Sequence, residues 1–259
     1  MNRAQILSSY CPALQLDGFS NCDDVQELKK ALDDFKAGKT QFDLGHGGTS
    51  LRFFALRVSR TPGKYRITAS ARLLERPIDE LFYILKQLGV SIYREKDAIV
   101  LESNGWQSPK VPIEMDVTRS SQFLSSLILN SWDLPFDLEF VLKGKLVSEP
   151  YLLMTLEMCK SLGLHILKND LSWLVPKGQK FNSSQRTEIE VDMSSAFSVA
   201  SLAVLYGQIQ ISPFPMTSLQ SDFVFIEILK TMGAEIRQSA GSLTIHQARQ
   251  LMPIEINLH

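Results

Sequence analysis

Residues 84–90 read Ile-Leu-Lys-Gln-Leu-Gly-Val, and this segment has two counterparts further along the chain. Residues 156–164 read Leu-Glu-Met-Cys-Lys-Ser-Leu-Gly-Leu, and residues 225–234 read Phe-Ile-Glu-Ile-Leu-Lys-Thr-Met-Gly-Ala. Each copy places apolar residues at helical spacing and then a Lys, a Leu or Met, and a Gly. This order is typical of an amphipathic helix that ends in a left-handed glycine. The sequence therefore predicts a repeated structural unit.

The repeat predicts a unit of two helices and several strands. Its glycines, Gly89, Gly163 and Gly233, are 74 and 70 residues apart, which is too far for a short solenoid repeat. A second helix is predicted in each unit, beginning with a Ser or Thr that we expect to cap it. These helices are predicted over residues 49–58, 120–129 and 194–205.

Short apolar runs that are typical of strands separate the helices. They are residues 65–69, 98–102, 138–141, 188–191 and 208–211. Because the second helix of each unit is apolar on nearly all sides, we expect those helices to form an inner layer and the sheets an outer one. The predicted fold class is α/β, with pseudo-threefold symmetry.

The composition is that of a soluble globular protein of one or two domains. The chain has 259 residues, 27 basic and 28 acidic side chains, a formal net charge of −1 and 44% hydrophobic residues. This balance excludes a general binder of nucleic acid or anionic membranes. With no long apolar run or signal peptide at residues 1–16, we expect a cytoplasmic protein. Three distant cysteines indicate neither a disulfide framework nor a zinc site.

Three predicted helix starts are candidate anion sites, because free N–H groups and partial positive charge collect there. Residues 45–50 read Gly-His-Gly-Gly-Thr-Ser, and Arg52 follows one turn later. The segments 118–122 and 147–151 supply hydroxyls at two further starts. The alternative is that these are only turns and caps. Arg76 is either an anion ligand or a surface ion pair with Glu75.

Five motifs in order give the chain a resemblance to a known family. They are Gly-His-Gly-Gly-Thr-Ser-Leu-Arg at 45–52, Leu-Glu-Arg-Pro-Ile at 74–78, Ser-Ser-Gln-Phe-Leu at 120–124, Leu-Val-Ser-Glu-Pro-Tyr at 146–151 and Gln-Ser-Asp at 220–222. In this order they resemble the 5-enolpyruvylshikimate-3-phosphate synthases. The related UDP-N-acetylglucosamine enolpyruvyl transferases have a reactive cysteine in the loop ending in Arg-Pro, whereas residues 69–77 contain none.

The resemblance implies a fold of two domains, each an inside-out α/β barrel of three βαβαββ units with pseudo-threefold symmetry. Residues 1–219 would form nearly all of one domain, and residues 220–259 the first unit of the second. By this resemblance we expect the chain to be truncated at both ends, since the family's Lys-containing loop before Ser-Asn-Arg-Ala has no counterpart here. A complete family member is expected to be a monomer.

The implied reaction transfers the enolpyruvyl group of phosphoenolpyruvate to the 5-hydroxyl of shikimate 3-phosphate and releases phosphate, in the shikimate pathway to chorismate. No metal or organic cofactor is expected, and the implied partners are these two small molecules, with no nucleic acid or membrane. Glyphosate inhibits the family at the phosphoenolpyruvate position. The family's general acid and base map beyond His259, so no catalytic residue is assigned within the chain.

Matching the motifs residue by residue implies two groups of binding residues. The shikimate 3-phosphate group is Arg3, Ser120, Ser121, Ser148 and Tyr151. The phosphoenolpyruvate group is Gly48, Thr49, Arg76 and Gln122. His46 departs from the pattern, because the family usually has Asn there. A protonated imidazole would either strengthen the anion site or crowd it.

Three hypotheses on function remain open at this point. The first is a fragment of a working synthase that lacks the proton-transfer residues. The second is a protein that binds shikimate phosphate without turnover, or that needs a second polypeptide for the missing half. The third, disfavoured by the missing loop cysteine, is the transferase that uses a nucleotide sugar.

Overall fold

The computed structural model describes residues 1–169, 172–182 and 186–256. The chain divides into two compact units, Met1–Glu188 and Ile189–His259. In the described part of the chain the helices are α1 (Asn2–Ser8), α2 (Asp23–Lys36), α3 (Gly48–Ser59), α4 (Ala71–Leu74), α5 (Asp79–Gln87), α6 (Gln122–Leu129), α7 (Glu149–Ser161), α8 (Met193–Tyr206) and α9 (Phe225–Thr231), with a 3-10 turn at Ser221–Val224.

The strands pair within four small sheets. They are β1 (Gln15–Asp17), β2 (Gln41–Asp43), β3 (Gly63–Thr68), β4 (Ser91–Arg94), β5 (Ala98–Ser103), β6 (Ile113–Asp116), β7 (Leu138–Lys143), β8 (Leu167–Lys168), β9 (Trp173–Val175), β10 (Arg186–Glu188), β11 (Gln208–Phe214), β12 (Ile236–Ser239) and β13 (Gly241–His246). Helices and mixed sheets alternate along the chain, which confirms the predicted α/β class.

Two four-stranded sheets of the first unit share one strand order, β2-β3-β5-β4 and β6-β7-β9-β8. In each, the first two strands are parallel and the remaining neighbours are antiparallel. A parallel pair needs a crossover connection, and helices α3 and α6 supply it. The N-termini of α3 and α6 therefore both follow directly after a first strand, at the carboxyl end of β2 and of β6.

Three helices end in the predicted left-handed glycines, at Gly89, Gly163 and Gly233, with φ values of 78°, 107° and 99°. Each glycine N–H donates to the carbonyl three residues earlier, and the next residue's N–H donates to the carbonyl five residues earlier. These are the two bonds of a Schellman motif, which satisfies carbonyls that the helix leaves open. The prediction of glycine-terminated helices is confirmed at all three positions.

The core of the first unit surrounds α3 and α6. Phe53, Phe54 and Leu56 of α3 and Leu124 and Leu127 of α6 are fully buried. The two helices also exchange polar contacts, because Ser126 Oγ donates to the carbonyl of Arg52 at 2.8 Å. This close packing fixes the starts of the two helices relative to each other.

The second unit has its own core, built around Phe225, Leu243 and Ile245. Its sheet has the order β11-β13-β12, and all neighbours in it are antiparallel. Helix α8 differs from α3 and α6, since its Leu202 is 59% exposed. No helix of the described residues is long and apolar enough to cross a membrane.

Two local predictions are wrong. The capping prediction is wrong for two of the three inner helices, since α3 begins after Gly47 with no side-chain cap and α8 is capped by Asp192. At α6 the predicted serine does bond to the helix start, because Ser120 Oγ accepts from the N–H of Gln122 at 3.2 Å. The strand predicted over residues 188–191 lies instead at Arg186–Glu188, paired in parallel with β1. The side chain of Gln220 donates to the carbonyl of Val191 at 2.8 Å, so this carbonyl is bonded outside any ladder.

Candidate active site at the helix N-termini of the first unit

Two guanidinium groups lie at the first residue of α3. A Cβ added at Gly48 would be 3.5 Å from Nη1 of Arg52 and 3.5 Å from Nη1 of Arg76. The first intrahelical bond of α3 is donated by Leu51 to the Gly47 carbonyl. The N–H groups that precede it have no partner within the helix, so they add partial positive charge to that of the two arginines.

Arg52 contacts Gln122 and Phe123, and one of its nitrogens has no hydrogen-bond partner. Its Nη1 donates to Oε1 of Gln122, and its guanidinium lies 4.8 Å from the ring centroid of Phe123. Only 8% of the residue is exposed, and its Nε is buried without a hydrogen-bond partner. Burial lowers the pKa of Arg52, and the charge of Arg76 lowers it further.

Among the described residues, no ion pair joins Arg52 or Arg76 to a carboxylate, and Arg76 makes none with Glu75. Two neighbouring cations without an acid repel each other, and a bound anion would offset that repulsion. The arrangement is therefore suited to hold a phosphate or a carboxylate between the arginines and the helix N-terminus.

The predicted serines meet at the start of α6. Ser121 Oγ donates to the carbonyl of Ser148 at 3.2 Å, although the two residues are 27 positions apart. Ser120 Oγ accepts from the N–H of Gln122 at 3.2 Å. Ser148 has φ 53° and ψ 42°, a left-handed conformation that costs a non-glycine residue about 1 kcal/mol or more. Such local strain is concentrated at functional sites in proteins.

Arg3 and Tyr151 are also brought together. Arg3 donates from Nε to Thr155 Oγ1 at 2.7 Å and from Nη2 to the carbonyl of Tyr151 at 3.0 Å. Its guanidinium lies 5.7 Å from the ring centroid of Phe53, and burial lowers the pKa of Arg3 to about 10. The ring of Tyr151 keeps 38% exposure. The side chain of Arg3 thus fixes the first turn of α7 against α1.

One cavity of about 370 Å³ is lined by Ser120 of the predicted shikimate 3-phosphate group and by Arg52, while the four residues of the predicted phosphoenolpyruvate group are not among its lining residues. Its other lining residues are Pro77, Asp79, Glu80, Asp116, Arg119 and Phe123. A second cavity, of about 250 Å³, lies beside β2 and β3 and is lined by none of the predicted site residues.

Two carboxylates that line the larger cavity, those of Glu80 and Asp116, accept hydrogen bonds from backbone N–H groups. Glu80 Oε1 accepts from the N–H of Asp116 at 3.1 Å, and burial raises the pKa of Glu80. Hydrogen bonds from the side chain and the backbone of Thr118 lower the pKa of Asp116. These carboxylates fix the turn before Ser120.

Sequence reasoning did not assign Arg52 or Thr155. The signal for Arg52 was present, because it lies four residues after Gly48 and so on the same face of the helix. Thr155 carried no signal, since its contact with Arg3 joins residues 152 positions apart.

The family described as EPSP synthase (3-phosphoshikimate 1-carboxyvinyltransferase) matches residues 14–259. This chain belongs to the EPSP synthase family. The resemblance drawn from the five motifs is therefore confirmed at the level of the family, over nearly the whole chain.

Relatives in the EPSP synthase family carry the name 3-phosphoshikimate 1-carboxyvinyltransferase. The protein of Shewanella halifaxensis is 30% identical over 247 residues, which is 93% of this chain and 57% of the relative. The protein of Buchnera aphidicola subsp. Cinara cedri is 34% identical over 225 residues, 85% of this chain and 51% of the relative. The chain thus spans between half and three fifths of the length of these relatives.

Solved structures show the same fold at low identity. The EPSP synthase of Acinetobacter baumannii superposes with a TM-score of 0.69 at 19% identity, over 98% of this chain and 64% of that one. An enolpyruvyl transferase of Streptomyces tendae gives a TM-score of 0.60 at 14% identity, over 96% and 64% of the two chains. At these identities the likeness supports the α/β fold of EPSP synthases and not the role of any residue.

Proposed function

We propose that this chain supplies the binding surface for shikimate 3-phosphate and phosphoenolpyruvate in an enolpyruvyl transferase. The reaction is transfer of the enolpyruvyl group to the 5-hydroxyl of shikimate 3-phosphate with release of phosphate. The observation that carries the proposal is the pair of guanidinium groups, Arg52 and Arg76, beside Gly48, neither of which forms an ion pair with a carboxylate of the described residues. A site for two phosphorylated substrates needs such charge.

The shikimate 3-phosphate group is assigned to Arg3, Ser120, Ser121, Ser148 and Tyr151. Support comes from the bond between Ser121 Oγ and the Ser148 carbonyl, which brings two separate segments to one place. Ser120 precedes the start of α6, where free N–H groups favour a phosphate. The exposed ring of Tyr151 offers an apolar face for a carbon ring, and Arg3 holds the backbone that carries it.

The phosphoenolpyruvate group is assigned to Gly48, Thr49, Arg76 and Gln122, with Arg52 added. Gly48 exposes its backbone between the two guanidinium groups, where a Cβ would lie in contact with both Nη1 atoms and with Leu73 Cδ1. Gln122 accepts from Arg52, so its amide nitrogen remains available as a donor to a ligand oxygen. Thr49 adds an N–H and a hydroxyl in the first turn of α3.

The role of this surface in the reaction is electrostatic and positional. Holding both substrates side by side converts a bimolecular step into an effectively unimolecular one. Fixed cations around the phosphate stabilise the charge that it carries as it leaves the substrate carbon. The transfer of protons to and from the methylene carbon and the hydroxyl needs an acid and a base. We assign these to polypeptide other than residues 1–259.

The proposal includes the finer architecture. The order strand, helix, strand, helix, strand, strand occurs from β6 to β9, and the segment from β2 to β5 has the same order with the short additional helix α4 before α5, which supports an inside-out α/β barrel of βαβαββ units with pseudo-threefold symmetry. Residues 1–219 would belong to one domain and residues 220–259 to a second. A monomeric, cytoplasmic enzyme belongs to the same proposal.

Titration calorimetry with the 259-residue chain tests this function. Shikimate 3-phosphate should bind, shikimate without its phosphate should bind far more weakly, and a phosphate-release assay with both substrates should show no turnover. UDP-N-acetylglucosamine serves as the control ligand for the related transferase, and we expect no heat from it. Failure to bind either phosphorylated substrate would overturn the proposal, and turnover by this chain would overturn the assignment of proton transfer to other polypeptide.

A further inference from the structure

We infer that Glu27 is a positioning residue for the glycine-rich loop at residues 45–48, and that it couples anion binding at α3 to proton uptake. The inference rests on the proposed function, because that function assigns phosphoenolpyruvate to the loop. Glu27 lies on α2 and packs against Gly45, so its role is carried by the loop backbone.

The carboxylate of Glu27 fills the space that Gly45 leaves open. A Cβ added at Gly45 would be 1.9 Å from Oε1 of Glu27, far inside a van der Waals contact, and Gly45 has a φ of 48°. Position 45 therefore needs glycine for two independent reasons, its left-handed backbone and the carboxylate packed against it.

The backbone of this loop is bonded residue by residue. The N–H of Gly45 donates to Asp43 Oδ1 at 3.1 Å, and its carbonyl accepts from the N–H of Ser70 at 2.7 Å. The N–H of Gly47 donates to the carbonyl of Leu44 at 3.2 Å. The backbone N–H of His46 lies close enough to the Glu27 carboxylate to lower its pKa. Glu27 is therefore the proposed acceptor for this amide.

Contacts of helix α2 with α1 and α3 hold the backbone of Glu27 in place. Its first turn is joined to α3 by Ser50 Oγ, which donates to the carbonyl of Asp24 at 3.0 Å. Asn2 donates to Asp24 Oδ2 at 2.9 Å, which joins the same turn to α1. Leu28, the next residue after Glu27, is fully buried. The carboxylate is therefore held against the loop by packing on both sides of α2.

The surroundings of Glu27 favour its protonated form. Its Oε2 is buried with no hydrogen-bond partner. Burial raises the pKa of Glu27 and the carboxylates of Asp43 and Asp23 raise it further, while the backbone N–H and the imidazole of His46 lower it. The other charged side chains on adjoining turns of α2 are Asp24, Lys29 and Lys30.

An anion bound at the start of α3 adds negative charge close to this carboxylate, so the pKa of Glu27 rises on binding. A group whose pKa is higher in the complex takes up a proton when the complex forms. Affinity is then greatest below the pKa of Glu27 in the free protein, and it declines as the pH rises toward the pKa in the complex.

Three variants distinguish the effect of the Glu27 side chain on the position of the loop from the effect of its charge. Glu27→Gln keeps the shape and an acceptor for the His46 N–H but removes the charge. Glu27→Ala removes both. Glu139→Gln, on the exposed side of β7, is the matched control for the loss of one negative charge from the first unit.

Phosphoenolpyruvate is titrated by calorimetry in buffers of different ionisation enthalpy, which reports the protons taken up. Because the ligand itself exchanges protons in every variant, only the difference from the wild type is used. Glu27→Gln should take up fewer protons and bind at least as tightly at about pH 8 as the wild type. Glu27→Ala should bind about tenfold more weakly. Glu139→Gln should match the wild type.

Equal proton uptake by the wild type and Glu27→Gln would overturn the coupling, and wild-type affinity in Glu27→Ala would overturn the positioning role. If the wild type binds no phosphoenolpyruvate, the proposed function fails, and amide hydrogen exchange without ligand decides the positioning role. The His46 amide should then exchange faster in Glu27→Ala and at the wild-type rate in Glu27→Gln. The same exchange rate in all variants would overturn it.

Discussion

Two arginines lie at each end of helix α3, and the two pairs differ in what their guanidinium groups contact. At the C-terminal end, Arg57 donates to the hydroxyl and the carbonyl of Ser9 at 2.6 and 3.1 Å. Arg60 donates to the carbonyls of Asn130 and Trp132 at 2.6 and 2.8 Å. These carbonyls belong to the ends of α1 and α6, where open acceptors and partial negative charge collect.

At the N-terminal end of α3 the donors are largely unused. Arg52 donates to Gln122 and leaves its Nε unpaired, and Arg76 lies beside it. The helix end there has the same sign of charge as the arginines, so it repels them. The comparison teaches that an arginine whose donors meet helix carbonyls is structural, whereas one placed against a helix N-terminus is arranged for a ligand.

The largest expected effect tests the N-terminal pair. Arg76 is exposed in the free chain. If the bound ligand buries its guanidinium, Arg76→Ala should weaken phosphoenolpyruvate binding by about 2–5 kcal/mol, because the charge of the ligand loses a buried partner. Affinity for shikimate 3-phosphate and stability should change little. Calorimetry measures the affinities, with Arg72→Ala as the control for the same charge loss four residues away. An equal loss for both ligands would mean that Arg76 acts on the structure and not on one substrate.

The second effect tests the C-terminal pair. Arg60→Ala should lower the free energy of unfolding by about 3 kcal/mol, since two carbonyls lose charge-assisted hydrogen bonds. Trp106, Trp132 and Trp173 all lie in the first unit. Tryptophan fluorescence in urea therefore reports this loss, and ligand affinity extrapolated to the folded state should be unchanged. If Arg60→Ala were as stable as the wild type but bound ligand more weakly, Arg60 would act on the ligand and not on the structure.

Local sequence patterns were enough to predict where several helices end. The glycines at 89, 163 and 233 end helices as predicted, because a left-handed C-terminus depends on a few adjacent residues. The capping prediction failed at α3 and α8, where Gly47 and Asp192 occupy the capping positions in place of Thr49 and Ser194. Motifs placed the candidate site residues on the correct helix starts. Their partners, such as Thr155 for Arg3, depend on contacts between distant segments that no local pattern records.

A smaller effect is expected at the start of α6. Ser121→Ala should weaken shikimate 3-phosphate binding by about 1 kcal/mol and lower the free energy of unfolding by about 1 kcal/mol. The reason is that both the ligand and the Ser148 carbonyl lose the hydroxyl of Ser121 as a hydrogen-bond partner. Ser125 is the matched control on the same helix, since its hydroxyl is buried with no partner. Ser125→Ala should be neutral or stabilising. Equal effects of the two substitutions would show that Ser121 contributes only packing.

The smallest effect concerns Asp116 at the rim of the cavity, whose oxygen Oδ1 accepts from the N–H and the hydroxyl of Thr118 at 2.8 and 2.6 Å. These bonds lower the pKa of Asp116. A carboxyl with a lower pKa in the folded state stabilises the protein above its unfolded pKa of about 3.9, and this contribution is lost as the pH falls through the folded pKa. Thr118→Val removes the hydroxyl and keeps the N–H, so the wild type should be slightly more stable than the variant at neutral pH. Urea midpoints from tryptophan fluorescence should converge as the pH falls below about 3.9. A gap that persists in acid would mean that Thr118 acts through packing and not through its hydrogen bond to Asp116.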